Sequence, residues 1–116
     1  MIHRKQDQTV EKRYNVRGGA GSPEFRELFS KAEAGGRADL LAVITLQPGE
    51  SIGLHSHDTN AELYYILSGV VTVTEDGAVY QLEPGDAAFC GDGHSHSMSN
   101  ETDVPVSVLA VIVPDR

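Results

Sequence analysis

A chain of 116 residues, 40% hydrophobic and 22% charged, has the composition of one soluble globular domain and is too short for two cores. A formal net charge of −8 speaks against a nucleic-acid surface, which needs clustered Lys and Arg, and a single cysteine, Cys90, excludes an intrachain disulfide. The amino terminus MIHRKQDQTVEKR has no apolar targeting region and no run reaches the length of a membrane span, so a cytoplasmic protein without membrane contact is expected.

Taken in chain order, residues 1–21 are polar and close on GGAG, a flexible arm ahead of a domain over residues 22–116. Residues 1–17 hold five Lys and Arg against two acidic residues, a net +3 that leaves −11 for the remainder. Such an arm either pairs with a neighbouring subunit or stays a solvated terminus. The segment SPEFRELFSKAEAGG reads as extended near 24–29 and as one helical turn near 31–34, where Ser30 and Glu33 form a capping box and Gly35-Gly36 stops it. From Asp39 onward, short β-rich runs alternate with turn signals. LLAVITL (40–46) meets Pro48-Gly49; LYYILS and VVTVTE follow; Asp76-Gly77 marks a hairpin into AVYQL; Pro84-Gly85 precedes AAFC; and VSVLAVIV (106–113) closes the pattern. Many short strands with little helix predict an all-β sandwich or barrel.

Four of the five histidines fall in two His-Ser-His segments, His55/His57 and His94/His96. Residues two apart on a strand leave the same face, and Glu62 opens the strand that follows the first pair. Imidazole and carboxylate together suit a first-row divalent metal. The pattern Leu-x-Pro-Gly-acid occurs at 46–50 and again at 82–86, each time ahead of a His-Ser-His, which predicts two related halves with both histidine pairs at one end of a barrel.

These residues resemble the cupin family, its small single-domain members in particular. Gly49, His55, His57, Glu62 and Gly69 match the family's first motif, G-x5-H-x-H-x3–4-E-x6-G, at every spacing. Gly85, Gly93, His96 and Asn100 meet the second, G-x5-P-x-G-x2-H-x3-N, with Gly91 standing where proline is usual. The resemblance implies a double-stranded β-helix, or jelly-roll, barrel. It also implies one divalent ion (Mn, Fe, Ni, Co or Zn) held by His55, His57, Glu62 and His96, with two coordination positions left for water or substrate. Small cupins commonly pair, so a homodimer is expected; the apolar VSVLAVIV, read as an edge needing cover, supports it.

By strand alternation His94 shares the face of His96, as a pocket residue able to move a proton, or else lies exposed at the barrel mouth. Tyr64, two from Glu62, and Met98, two from His96, are expected to point into the same cavity, with His94 and Tyr64 as the candidate acid–base groups. Asn100 is read as a structural hydrogen-bonding group beside the pocket, Tyr65 as facing the opposite way, His3 as a surface residue without a partner, and Cys90 as a small apolar strand residue. Two function classes follow. One is a metal-dependent enzyme on a small polar substrate, a hydroxy or keto acid or a sugar, by isomerase, lyase or dioxygenase chemistry. The other is a module that binds or senses a metal and a small ligand without turnover.

Overall fold

Residues 1–115 are described by the computed structural model. Ten strands among them form two antiparallel sheets: β1 (Thr9–Lys12), β2 (Glu24–Glu27), β3 (Leu40–Leu46), β4 (Ser51–Ser56), β5 (Asn60–Ser68), β6 (Val71–Glu75), β7 (Ala78–Leu82), β8 (Ala87–Cys90), β9 (Ser95–Ser99) and β10 (Val106–Pro114). One sheet has the order β1-β2-β3-β10-β5-β8 and the other β4-β9-β6-β7, the arrangement of an all-β jelly-roll barrel. No helix in the described residues is long and apolar enough to cross a membrane.

Period-two patterning decides which side of each strand is inside. Ala42, Ile44 and Leu46 of β3 alternate with half-buried neighbours, as do Val106, Val108 and Ala110 of β10. With Ile66, Val71, Val73 and Met98 they fill the space between the sheets, each larger aliphatic contributing about 1.5–3 kcal/mol by leaving water. The turns carry local signals of equal clarity. In the β6–β7 hairpin Asp76 and Gly77 both have positive φ (48° and 83°), the primed turn that suits a right-twisted ribbon. The two Leu-x-Pro-Gly-acid stretches make the same turn twice. Glu50 Oε1 accepts from the Gln47 backbone N–H at 2.8 Å, and Asp86 Oδ2 accepts from that of Glu83 at 2.8 Å. The capping box also forms, with Ser30 N–H donating to Glu33 and Glu33 N–H donating to Ser30 Oγ at 2.9 and 3.1 Å.

Three expectations are corrected. The apolar 106–113 segment is not an edge: β10 lies in the middle of the larger sheet between β3 and β5, and its apolarity answers burial inside this chain. The stretch 1–21 is not a loose entry, because β1 pairs with β2 and the turn at Val16–Gly18 sits against β4. Gly19 and Gly53 permit that approach, since a Cβ on Gly53 would overlap the Arg17 carbonyl and one on Gly19 the Ser51 carbonyl. His3, finally, is partnered: its ring bridges Leu28 O at 3.0 Å and Glu33 at 2.8 Å, fastening the amino terminus to the capped turn.

Candidate metal centre

The centre is assembled by one strand junction in each sheet. Strands β4 and β9 pair with His55 opposite His96, while Glu62 comes from β5 across the barrel and His57 follows directly after β4. One ligand atom from each of His55, His57, Glu62 and His96 falls within 4.8 Å of all the others. His96 Nε2 lies 3.0 Å from the Nε2 of both His55 and His57, and Glu62 Oε1 lies 3.0 Å from His96 Nε2 and 3.2 Å from His57 Nε2. His57, Glu62 and His96 are buried, and the His55 side chain is only 7% exposed.

Neighbouring groups fix which ring nitrogens face inward as acceptors. His55 Nδ1 meets the Gly53 carbonyl at 2.7 Å and His57 Nδ1 meets Asn60 Oδ1 at 2.6 Å. Both partners accept, so each neutral ring carries its proton on Nδ1 and turns the Nε2 lone pair toward the centre. Two imidazole lone pairs, a third imidazole nitrogen and a carboxylate oxygen thus converge in a dry place. A shared proton reconciles them only in pairs, whereas one cation answers all four, so the donor set fits a divalent ion. Burial would raise the Glu62 carboxyl; when no cation is bound and the rings are protonated instead, hydrogen bonds from His55 and His96 and the charges of His96 and His57 outweigh burial and hold it at about 2.

A cavity of about 170 Å³ opens beside this cluster. Tyr64 lines it, stacked on His96 with ring centroids 4.8 Å apart and planes within 7°. Burial, followed by the negative charge of Glu62, pushes the Tyr64 hydroxyl well above its ordinary value, so it stays a neutral phenol able to donate a hydrogen bond. Ile44, Ile52 and Phe25 supply apolar walls, and Arg13 and Arg17 complete the lining.

Some residues expected in the pocket lie elsewhere. His94 precedes β9 rather than belonging to it, so strand alternation does not apply; its ring is 62% exposed and bonds Asp76 Oδ2 at 2.5 Å. Met98 faces the hydrophobic core among Val73 and Ile52 and is not part of the cavity wall. Asn100 is fully buried and structural: its amide donates to Leu46 O and Val104 O, and its oxygen accepts from Thr102. Cys90 is buried with its thiol toward His94 O, and burial, with Glu75, Asp76 and Glu62 nearby, pushes it up to about 11, unreactive at neutral pH. Sequence reasoning missed Asn60, three residues past His57 at the head of β5, and the arginines of the arm. Asn60 was findable, since a ligating histidine needs an acceptor for its second nitrogen. Arg13 and Arg17 carried only the signal of a basic arm on an acidic chain.

Comparison with known proteins returns a family match and relatives of more than one described activity. The cupin domain profile matches residues 42–112. The chain is 38% identical over 113 residues to the oxalate-binding protein of Thermotoga maritima, across 97% of this chain and 93% of that one. A Thermotoga maritima crystal structure described as a predicted oxalate decarboxylase superposes with a TM-score of 0.92 at 38% identity, covering 98% of this chain and 99% of the other. A protein from Thermus thermophilus superposes with a TM-score of 0.69 at 30% identity over 90% of each chain.

Proposed function

The chain belongs to the cupin family, in its small single-domain form, and from that premise we propose that it holds one divalent transition metal at His55, His57, Glu62 and His96 and binds a small dicarboxylate, oxalate foremost. The observation that carries this reading is the convergence of donor atoms with tautomers preset by Gly53 and Asn60, beside a small cavity. A divalent ion bound there supplies Lewis acidity toward the ligand's oxygens. The chain's own residues do the rest. Tyr64 lines the site as a neutral phenol beside Glu62, and the apolar wall of Ile44 and Ile52 keeps bulk water from the anion. The relative of Thermotoga maritima, named for oxalate, supports that choice of ligand. Manganese, iron, cobalt, nickel and zinc all accept this donor set. The test is elemental analysis of protein purified without a His-tag, followed by calorimetric titration of the metal-loaded protein with oxalate. Near-stoichiometric metal and saturable oxalate binding are expected; a metal-free protein that refuses reloading overturns the reading.

Turnover is the second reading, favoured by the cavity that gives a small molecule access to the cluster. It covers metal-dependent lyase, isomerase or dioxygenase chemistry on oxalate, hydroxy acids, keto acids or sugars. The lining offers Tyr64 as a proton donor and no histidine outside the ligand set, so catalysis would rest on the ion and Tyr64. Product formation from a panel of such acids and sugars, with and without dioxygen, separates this from binding alone. A homodimer completes the proposal. Edge strands β7 and β8 expose Val79, Tyr80 and Phe89, the last 63% exposed, and light scattering at twice the chain mass is the expected result.

A further inference from the structure

Beyond the metal ligands and Tyr64 the cavity is lined by apolar residues and by Arg13 and Arg17, and both arginines come from the arm. That arm is built into position. The Arg13 backbone N–H donates to Pro23 O at 3.0 Å, Ser22 N–H donates to Glu50 Oε2 at 2.7 Å, and Ala20 exchanges hydrogen bonds with Ser51 at 2.8 and 3.0 Å. With the close Gly19 and Gly53 approach, these contacts hold the Val16–Gly18 turn on β4, two residues from His55. The Arg13 guanidinium lies 4.3 Å above the Phe25 ring, itself part of the wall. Its Nε is taken by Glu11 at 2.7 Å, and its two terminal nitrogens have no protein partner among the described residues. Arg17 makes no ion pair among the described residues.

Charge then points to the ligand. A chain of net −8 repels small anions, yet this cavity gathers positive charge. A divalent ion less Glu62 leaves one unit, and Arg13 and Arg17 less Glu11 leave a second. The complement is a dianion. We propose that Arg13, assisted by Arg17, is the specificity-determining group of this site, recognising the outward oxygens of a small dicarboxylate and discriminating it from monocarboxylates. The planar guanidinium fork suits carboxylate oxygens, and its stacking on Phe25 fixes the plane before the ligand arrives. The proposal rests on the metal-centred binding site described above and adds what selects the ligand.

The experiment uses full-length cobalt-loaded protein, with metal content measured for every variant and ligand binding followed by calorimetry and by the cobalt absorption bands. Oxalate and acetate are the two probes. Arg13→Gln should weaken oxalate by about ten- to a hundred-fold, the loss of one charge-assisted contact, and acetate by less than about three-fold, with cobalt content unchanged. Arg17→Gln should do the same to a lesser degree, and Arg13→Lys should recover only part of the loss because an ammonium keeps the charge without the fork. Wild-type affinity for oxalate in the Arg13→Gln/Arg17→Gln double variant overturns the assignment while leaving the metal-centred site standing. Equal losses of oxalate and acetate overturn the claim of selectivity. A wild-type cobalt protein that binds neither probe removes the underlying site and the assignment with it.

Discussion

The two His-Ser-His segments begin from the same tripeptide and end differently. In the first, His55 and His57 both turn inward to the cluster; in the second, His96 does so and His94 points to solvent and Asp76. The backbone ladder continues through both, with His57 N–H donating to His94 O at 3.1 Å and Gly93 N–H to His57 O at 2.9 Å. What differs is the approach. Residues 91–94 form a tight turn, closed by His94 N–H on Gly91 O at 3.0 Å, with Asp92 and Gly93 at φ of 53° and 79°. His94 is the last residue of that turn, and its side chain goes where the turn aims it. His57 leaves β4 after a register shift between Ile52 and His55, and Asn60 then holds its ring. A shared tripeptide therefore says little about side-chain direction until the start of its strand is known.

The largest break in that comparison should come from the inward members. His57→Ala and Glu62→Ala are each expected to lower metal affinity by more than the roughly 10–100-fold that loss of a supporting group costs, with the strand signature in circular dichroism intact, because the aliphatic core is built from other residues. Metal analysis after dialysis checks this, and unchanged content in both variants refutes the ligand set. Next, adding metal to a hundred times its dissociation constant should stabilise the wild type by about 2.7 kcal/mol, seen as a rise in thermal midpoint that chelator reverses and that the Glu62→Ala variant lacks.

Asn60→Ala sharpens the contrast from the supporting side. With no acceptor at Nδ1, His57 loses its preset tautomer, and affinity should fall by about 10–100-fold while stoichiometry at saturating metal is preserved. Unchanged affinity would mean that the ring is held by strand geometry alone. His94→Ala is the matched control: full metal content and unchanged ligand affinity are expected, and loss of the ion would return His94 to the ligand set. The smallest effect concerns Asp76, held below its ordinary value of 3.8 by the Ser95 backbone N–H first and the His94 ring second. A depressed carboxylate stabilises the fold fully above its unfolded value and loses that contribution as pH falls through the folded one. Wild-type and Asp76→Asn thermal midpoints should thus differ above the ordinary carboxylate value of 3.8 and converge as pH falls through the depressed folded one; a constant gap would reject that linkage.

Much of this molecule was legible in its sequence because the relevant interactions are local. Alternation of apolar residues in 40–46 and 106–113, the Asp76-Gly77 hairpin, the paired Pro-Gly turns and the Ser30/Glu33 capping box each depend on neighbours within a few positions. The spacing of His55, His57, Glu62 and His96 was legible for a related reason. The two-residue spacing brings the first two to one side although His57 lies just past β4, where Asn60 holds its ring. Tertiary structure alone decided the remainder. It put β10 at the centre of a sheet, laid the arm on β4, brought Arg13 and Arg17 to the cavity, and sent His94 outward. Each of these depends on which distant strand becomes a neighbour, and chain segments of similar composition compete for that place. Composition marked residues 1–17 as basic, but only the close approach of Gly19 to Gly53, 34 positions apart, turned that charge toward the site.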